Sequence, residues 1–404
     1  MKLSGKFHLT YCTNVFPGET WEEIEQTLSA FLPVIREKVW PESPFGVGLR
    51  LSAQAAETLQ EPGQLTRFRL FLKSQNSYVF TINGFPYGEF HKGRIKENVY
   101  LPDWRDRRRL EYTNRLAQIL SALLPDDGDI EGSISTVPGA YKASIHAETD
   151  VQQIAKLMLE HVVFLYRLRE NTGKTISLAL EPEPCCQLET IDETVAFFHE
   201  YLFGPWGLET LCNILQVGRA EADQIVHRHV GVCFDACHMA TEFEDVSGAI
   251  RKLKSAGIRI SKVQISSALK LRFRSGDGCA LQSLGRFAEG TYLHQVVEQS
   301  RFGLRRFTDL PEALADEASG RDAGLDKEWR VHFHVPIFLR DMGAFENTQP
   351  ELVSLIQYLR DDPVCLHLEA ETYTWDVLPI EYRAPDLVSA VARELNWVRD
   401  KMME

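Results

Sequence analysis

The chain lacks several of the features by which protein classes are usually recognised. Cysteine is scarce, with 8 residues in 404, far fewer than a disulfide-stabilised scaffold contains. No two cysteines have CxxC spacing, so the sequence gives no sign of a local cysteine-based zinc site. The chain also lacks a run of about 18 apolar residues, and its first residues lack the apolar core of a signal peptide. These absences predict a cytoplasmic protein without a membrane span.

Positive charge is in deficit as well. Lysine and arginine total 44 against 57 acidic residues, and 44 − 57 gives a net charge of −13. A nucleic-acid-binding surface needs clustered basic residues, so this balance argues against nucleic acid as a partner. The GxGxxG and GxxxxGK[ST] motifs are both absent, which disfavours nucleotide-dependent chemistry. The expected ligand is therefore a small molecule of another kind.

What the sequence does contain is a regular alternation of short apolar runs and longer amphipathic segments. This alternation is typical of βα units that build a parallel sheet. The predicted helices are 20–38, 108–124, 149–170, 189–203 and 350–360. The nine predicted strands are 7–13, 46–52, 78–83, 130–136, 175–181, 230–235, 260–266, 331–338 and 364–370.

Nine strands are one more than a (β/α)8 TIM barrel needs. We predict a single α/β domain over 1–404 with this barrel fold, because its length suits one barrel. The surplus strand is attributed to an insertion at 269–330, which is less periodic and rich in Gly, Arg and Asp. This insertion is expected to form a hairpin or a lid. An open doubly wound sheet is the alternative, and the missing dinucleotide-binding turn weakens it.

Functional residues of a parallel barrel lie at the carboxyl ends of its strands. Glu181 ends the strand 175–181, and a lone acid there is costly unless it is paired or metal-bound. Asp235 ends the strand 230–235, and His238 follows three residues later. Asp235 is also a natural N-cap for the segment that follows. That structural role alone leaves His238 unexplained, so the pair predicts a site.

The later strands add further polar groups. Gln264 is the expected inward-facing polar group of its strand. His332 and His334 share one strand face, a geometry that recurs in metal sites, although such a pair is more often found in a core or loop. Glu369 and Glu371 share a face of the last strand, because side chains alternate along a strand.

Taken together, these strand ends predict a divalent-metal site. The predicted ligands are Glu181, Asp235 and Glu369, with Gln264 or His334 completing the shell. A mixed carboxylate, imidazole and amide set suits Mn, Mg, Zn or Co. Such an ion polarises a sugar carbonyl while a carboxylate moves a proton between neighbouring carbons. Glu181 and Glu369 are the predicted catalytic residues, serving as ligand and base together.

Three more residues are predicted to contact a substrate. Glu189 follows Glu181 at a helix start, where a favourable interaction with the helix dipole explains an acid equally well. Trp375 follows the last strand, where an aromatic ring either stacks on a sugar or packs at the rim. Arg272 follows the Gln264 strand and could reach an anionic substrate, although an exposed basic loop is the commoner interpretation.

Three short motifs resemble the xylose-isomerase-like barrels, the superfamily of sugar isomerases and epimerases that includes endonuclease IV. They are Leu180-Glu181-Pro182, the F-D-A-C-H-M segment Phe234 to Met239, and Leu368-Glu369-Ala370. The resemblance implies metal-binding roles for Glu181, Asp235 and Glu369, and substrate-binding roles for Glu189 and His238. Where ketose 3-epimerases have a metal-binding His, this sequence has Gln264. Either Gln264 coordinates through its oxygen, or His334 replaces it, or the metal site is degraded.

Over most of the chain the sequence resembles the metabolite traffic protein EboE family. The strings that carry this likeness are HLTYCTNVFPGETW, GVGLRLSAQAAETL, TINGFPYGEFH, VYLPDW, GSISTVPGAYK, FHVPIF and ETYTWDVLP. The resemblance implies a cytoplasmic sugar-isomerase-like barrel encoded with a prenyltransferase-like membrane protein. It also implies a link to the traffic of a secondary-metabolite precursor to the cell envelope.

Two functions from different classes follow. The first is a divalent-metal-dependent isomerase or epimerase acting on a sugar or a polyhydroxylated metabolite, in which His238 and Glu189 orient substrate hydroxyls. The second is a barrel that binds or escorts a metabolite to a membrane partner without turnover. Gln264 in place of His favours the second, and the retained acids favour the first, since unneeded buried carboxylates are destabilising. The −13 charge disfavours an apurinic endonuclease.

Overall fold

Eight parallel strands form a nearly closed cylinder in the computed structural model, which describes residues 1–91, 95–126, 130–273, 278–320 and 326–404. Their neighbour order is β2-β15-β8-β7-β6-β5-β4-β3, and β1 pairs antiparallel with β2. The barrel strands and β1 are β1 (Lys2–Leu3), β2 (Phe7–Tyr11), β3 (Phe45–Arg50), β4 (Ser77–Asn83), β5 (Gly132–Thr136), β6 (Ile176–Leu180), β7 (Val230–Asp235), β8 (Ile260–Ile265) and β15 (His367–Ala370).

The cylinder closes between β2 and β3. Cys12 and Gly48 form a parallel bridge there, and Oγ1 of Thr10 donates a hydrogen bond to the carbonyl of Gly46 at 2.9 Å. The predicted (β/α)8 barrel is therefore confirmed, and seven of its strands overlap the first seven predicted strands.

Helices surround the barrel and bury their apolar faces against it. Helix α1 begins after Thr20, whose side chain accepts from the backbone of Glu23 in a capping box, so the predicted helix start is confirmed. The helices are α1 (Trp21–Val39), α2 (Ala53–Leu59), α3 (Gln64–Ser74), α4 (Arg107–Leu123), α5 (Glu148–Thr172), α6 (Ile191–Phe197), α7 (Pro205–Leu215), α8 (Arg219–His229), α9 (Ala236–Thr241), α10 (Val246–Ser255), α11 (Gly278–Leu284), α12 (Leu310–Ala318), α13 (Gln349–Asp361) and α14 (Leu387–Met403). Within the described ranges, no helix is both long and apolar enough to cross a membrane.

A second, antiparallel sheet is inserted between barrel strands β8 and β15. Its strand order is β11-β10-β12-β9-β14-β13, and β12 lies near its centre. Its strands are β9 (Ala268–Phe273), β10 (Val296–Ser300), β11 (Gly303–Phe307), β12 (Lys327–His334), β13 (Asp341–Met342) and β14 (Phe345–Asn347).

The surplus strand of the prediction, 331–338, corresponds to β12 of this second sheet. The inserted sheet continues to Asn347, beyond the predicted insertion 269–330, part of which lies outside the described residues. Residues 331–334 are buried on both faces, which is the pattern of a barrel strand as well. Periodicity alone therefore could not assign this strand to the inserted sheet.

Gly48 occupies the tightest position at the barrel closure. A Cβ atom there would collide with Oε1 of Glu369 and would lie 2.7 Å from the carbonyl oxygen of Tyr11. We therefore expect Gly48→Ala to destabilise the fold by about 1–3 kcal/mol, the usual cost of overpacking a core. Urea unfolding of the variant would measure this. Gly290→Ala is the control, because a Cβ atom added there would have no described atom within 4 Å, and equal stability of both variants would contradict the expectation.

Candidate functional site

Three carboxylates converge at the carboxyl end of the barrel. Glu181 follows β6, Asp235 ends β7, and Glu371 follows β15. All three are buried, and one oxygen from each lies within 4.8 Å of the others. They meet because parallel strands present their carboxyl ends at one rim. We call these three residues the carboxylate cluster.

Burial makes it energetically costly for the acids of this cluster to carry negative charge. Burial, followed by the charges of Asp235 and Glu369, raises the pKa of Glu371 to about 8. Burial also raises the pKa of Glu181 well above its ordinary value, followed by repulsion from Glu371 and Asp235. Oε2 of Glu181 and Oδ2 of Asp235 have no hydrogen-bond partner among the described residues. Buried charges without partners are rare in proteins, so a cation is the natural partner for these oxygens.

Hydrogen bonds hold two of the acids in place. Asn14 and Asn83 donate to Oε1 of Glu371 at 2.7 and 2.8 Å. Oδ1 of Asp235 accepts from the backbone of His238 at 2.9 Å and from Oγ of Ser266 at 2.8 Å. Asp235 therefore caps α9, as predicted, and belongs to the carboxylate cluster at the same time, while its role as a metal ligand stays a prediction.

Three buried histidines lie beside the cluster. The Nδ1 atoms of His238, His332 and His334 donate to the Pro182 carbonyl at 3.1 Å, to Oε1 of Gln295 at 2.7 Å and to the Glu371 carbonyl at 2.7 Å. Burial lowers the pKa of all three, to about 4 for His238, so the rings are neutral. Each ring therefore keeps a lone pair on Nε2, as metal-binding histidines do.

The predicted ligand His334 and the predicted substrate residue His238 meet in this group. Ligand atoms of Asp235, His238 and His334 lie within 4.8 Å of one another. His332, which the sequence analysis noted but did not assign to the site, has its ring centre 4.5 Å from that of His238. The inserted sheet thus supplies two histidines to a site built on the barrel.

Glu369 lies elsewhere than the sequence analysis placed it. Its Oε2 is 2.6 Å from Nζ of Lys262, and both side chains are fully buried. Glu369 precedes Glu371 by two residues on one strand face, so it lies roughly 6.6 Å deeper in the barrel. Within the described part of the chain, Glu369 is absent from the groups whose ligand atoms converge, and Glu371 occupies the position expected for it.

Gln264 lies next to the acids in the barrel wall. The strand register places it beside Asp235 on β7 and beside Glu369 on β15. Its Oε1 accepts from Sγ of Cys233 at 3.2 Å, and its Nε2 has no partner in the described ranges. The oxygen and nitrogen of an amide are interchangeable by a flip, so Gln264 as a ligand stays a prediction.

The other three predicted substrate residues do not line the same cavity as the cluster. Glu189 pairs with Lys142 at 2.6 Å. The buried ring of Trp375 lies parallel to that of Phe338, with ring centres 6.3 Å apart. Arg272 pairs with Glu328 on the inserted sheet at 2.9 Å. Their proposed contacts with substrate therefore stay predictions.

A cavity of about 60 Å³, partly open to solvent, lies directly over the carboxylate cluster. Two acids of the cluster, three histidines, Glu183 and several aromatic rings line it. The lining residues are Asn14, Asn83, Phe85, Pro86, Phe90, Lys96, Val99, Tyr100, Glu181, Glu183, His238, Tyr292, Leu293, His332, His334, Glu371 and Tyr373. This mixture of apolar rings and convergent polar groups is typical of a small-molecule site.

Glu183 is an acid that lines the cavity and that had no predicted role in the site. Tyr100 donates to its Oε1 at 2.8 Å, and Nδ1 of His332 lies 3.6 Å from the same oxygen. Burial raises the pKa of Glu183 to about 8. Its place two residues after Glu181 was the available signal, since both residues lie at the end of one strand.

Comparison with known proteins identifies the fold. A xylose isomerase-like TIM barrel protein from Mycobacterium smegmatis, solved in complex with magnesium, has 10% identity and a TM-score of 0.52 over 100% of this chain and 98% of its own. A xylose isomerase domain-containing protein from Salmonella typhimurium has 11% identity and a TM-score of 0.44 over 100% of both chains. AsbF from Bacillus anthracis, a probable 3-DHS dehydratase, has 13% identity and a TM-score of 0.45 over 98% and 97%.

No protein-family model matches the chain, and no curated protein matches it. The structural likeness supports the TIM-barrel fold of the chain. The resemblance to the EboE family rests on the sequence alone and stays a prediction.

Proposed function

We propose that this protein is a divalent-metal-dependent isomerase or epimerase of a sugar or a polyhydroxylated metabolite. The observation that carries the proposal is the convergence of the carboxylate cluster at the mouth of the barrel. Two of its oxygens are buried without a hydrogen-bond partner among the residues that the structure describes. Such oxygens are destabilising by themselves and become favourable when they share a cation.

The donor chemistry fits a hard divalent ion. Three carboxylates supply only oxygen ligands, which Mg²⁺ and Mn²⁺ prefer, and an added imidazole would extend the choice to Zn²⁺ or Co²⁺. A barrel of the same fold was solved with magnesium, which agrees with this assignment. The bound ion would polarise a substrate carbonyl and hold adjacent hydroxyls. His334 or Gln264 is the proposed additional ligand, as the sequence analysis predicted.

The proton transfer is assigned to Glu183 instead of Glu369. A base must reach the substrate, and Glu183 lines the cavity whereas Glu369 is paired with Lys262 below it. Tyr100 fixes the orientation of the Glu183 carboxyl through its 2.8 Å hydrogen bond. The raised pKa suits a group that takes a proton from one carbon and returns it to the next near neutral pH. Glu181 retains its predicted role as a ligand.

Glu183→Gln is expected to lower proton exchange by at least about 100-fold, the usual contribution of a general base. Metal-loaded protein would be incubated in D₂O with a panel of aldoses, ketoses and cyclic polyols that carry a ketone. Mass spectrometry would then detect deuterium at the carbon next to the carbonyl. The variant should bind metal as well as the parent protein does, because Glu183 is outside the carboxylate cluster.

Glu394→Gln is the matched control for this experiment. Glu394 is also a buried acid with a pKa raised to about 8, but it accepts from Thr372 at 2.6 Å and does not line the cavity. Full exchange activity in Glu183→Gln would contradict its role as base. Absence of exchange from the parent protein with every compound in the panel would contradict the isomerase proposal.

The alternative function is a metabolite escort without turnover. Gln264 in place of the epimerase His favours it, and so does the resemblance to the EboE family. On this hypothesis the barrel would deliver a secondary-metabolite precursor to a prenyltransferase-like membrane protein. Binding of panel compounds without deuterium incorporation, together with retention on vesicles that contain such a membrane protein, would support this function over the first.

A further inference from the structure

A second group of metal-ligand atoms lies beside the carboxylate cluster. Cys237 is on α9, and His332 and His334 are on β12 of the inserted sheet. One ligand atom from each lies within 4.8 Å of the others, and all three side chains are buried. We call them the thiol–imidazole cluster. It shares no residue with the carboxylate cluster.

The hydrogen bonds of the two histidines leave one nitrogen of each ring for a ligand. Nδ1 of His332 donates to Oε1 of Gln295, and Nδ1 of His334 donates to the carbonyl of Glu371. Nε2 of both rings is buried without a hydrogen-bond partner in the described part of the chain, and the residues are only 4% and 1% exposed. Histidines that bind metals usually donate their second nitrogen to a carbonyl in this way.

The orientation of the Gln295 amide is fixed independently. Its Nε2 donates to Oη of Tyr100 at 2.9 Å and to the carbonyl of Pro184 at 3.2 Å. Its Oε1 is therefore the atom that faces His332, and Nδ1 of His332 must carry the proton. The lone pair of His332 is consequently on Nε2, the atom that no described residue contacts through a hydrogen bond. Local hydrogen bonding thus prepares this ring to bind a cation.

We propose that Cys237, His332 and His334 bind a zinc ion, separate from the ion of the carboxylate cluster. One sulfur and two imidazole nitrogens are ligands that zinc prefers, whereas three carboxylates suit magnesium or manganese. Three protein ligands also leave a fourth tetrahedral position for water or substrate, as in catalytic zinc sites. This assignment goes beyond the proposed function, which needs only the ion in the carboxylate cluster.

The two ions have distinct ligands under this assignment. Nε2 of His334 can bind only one ion, so its commitment to zinc leaves Gln264 or water to complete the shell of the carboxylate cluster. Zinc binding releases the proton of the Cys237 thiol to solvent, because the thiolate is the ligand. His332 and His334 line the cavity, so zinc would lie at the wall of the space that receives the substrate.

Cobalt substitution of the full-length protein tests this site. The protein would be stripped with a chelator, reloaded with Co²⁺, and examined by near-ultraviolet and visible absorption alongside metal analysis. A thiolate-to-cobalt charge-transfer band is expected in the parent protein and should disappear in Cys237→Ser. Zinc reloading should give one zinc ion fewer per chain in Cys237→Ser and in His332→Gln than in the parent.

Two further variants separate this proposal from the proposed function. Cys365→Ser removes another buried thiol, which lines a different cavity with His8 and His367, and it should keep the band. Glu371→Gln should lose the ion of the carboxylate cluster and also keep the band. Absence of the band from the parent protein, its persistence in Cys237→Ser, or its loss in Glu371→Gln would overturn a separate zinc site. A failure of the proposed function alone would leave the band intact.

Discussion

Glu371→Gln is expected to abolish the stabilisation of the fold by Mn²⁺ or Mg²⁺ while the metal-free protein stays folded. In the parent protein, a metal at about 100 times its Kd should stabilise the native state by about 2.7 kcal/mol. The variant loses one of three carboxylate ligands but keeps an amide that can still accept from Asn14 and Asn83. Thermal unfolding with and without metal measures the difference.

The metal-free variant should also be less sensitive to pH than the parent. Burial raises the pKa of Glu371 from 4.5 to about 8, so the folded chain binds a proton that the unfolded chain releases. Its contribution is therefore fully favourable below pH 4.5 and is lost as the pH rises toward 8. Removing this group should reduce the loss of unfolding free energy with rising pH by at most about 1.4 kcal/mol per pH unit. Denaturant unfolding across this range would measure the slope.

Glu394→Gln again provides the matched control, because Glu394 is a buried acid outside the carboxylate cluster. This variant should respond to metal as the parent protein does. If Glu371→Gln retains the full metal-induced stabilisation, the carboxylate cluster is not the metal site. If the parent protein itself shows no stabilisation by Mn, Mg, Zn or Co, the metal-dependent function fails with it.

The sequence was sufficient to predict the barrel and the proximity of some residues of the candidate site. Strand and helix periodicities predicted the (β/α)8 fold, because each barrel strand is an apolar run that ends near a polar residue. Glu181, Asp235 and His238 were correctly expected near one another, since they follow adjacent parallel strands. The prediction for these residues depends only on which strand end each one occupies, and strand ends can be predicted from a sequence.

The depth of a residue within the barrel could not be predicted. Glu369 and Glu371 face the same way on one strand, and only the three-dimensional stagger of neighbouring strands decides which reaches the rim. Lys262 shares a strand face with Gln264, but its pairing with Glu369 depends on the register between β8 and β15. The resemblance to epimerase motifs favoured Glu369 for the same reason, because a short motif does not define depth.

The residues that the inserted sheet supplies to the site could not be predicted from the sequence either. Cys237 and His332 are separated by 95 positions, and no local spacing motif connects them. They approach each other because β12 packs against α9, where Arg330 donates to the carbonyl of Ala240 at 2.7 Å. A contact between a helix at the barrel rim and a strand of the inserted sheet has no periodic signal in the sequence. The thiol–imidazole cluster could therefore be found only from the folded structure.

Glu369→Gln, in contrast to Glu371→Gln, is expected to destabilise the fold itself by about 3–5 kcal/mol. The variant leaves the ammonium of Lys262 buried without its counter-charge, which is the usual cost of breaking a buried ion pair. Lys262 also donates to Oγ of Ser135 at 3.3 Å, but this neutral group cannot replace a carboxylate. Equilibrium urea unfolding in the presence of chelator would measure this loss without any metal contribution.

A double variant distinguishes an ion-pair effect from a packing effect. Lys262→Met combined with Glu369→Gln removes both charges while keeping side chains of similar length, so it should recover most of the lost stability. Lys262→Met alone should be destabilising, because it leaves the carboxylate of Glu369 unpaired next to the acids above it. If Glu369→Gln alone is as stable as the parent but cannot bind metal, the result would contradict the ion-pair role and support Glu369 as the metal ligand that the sequence predicted.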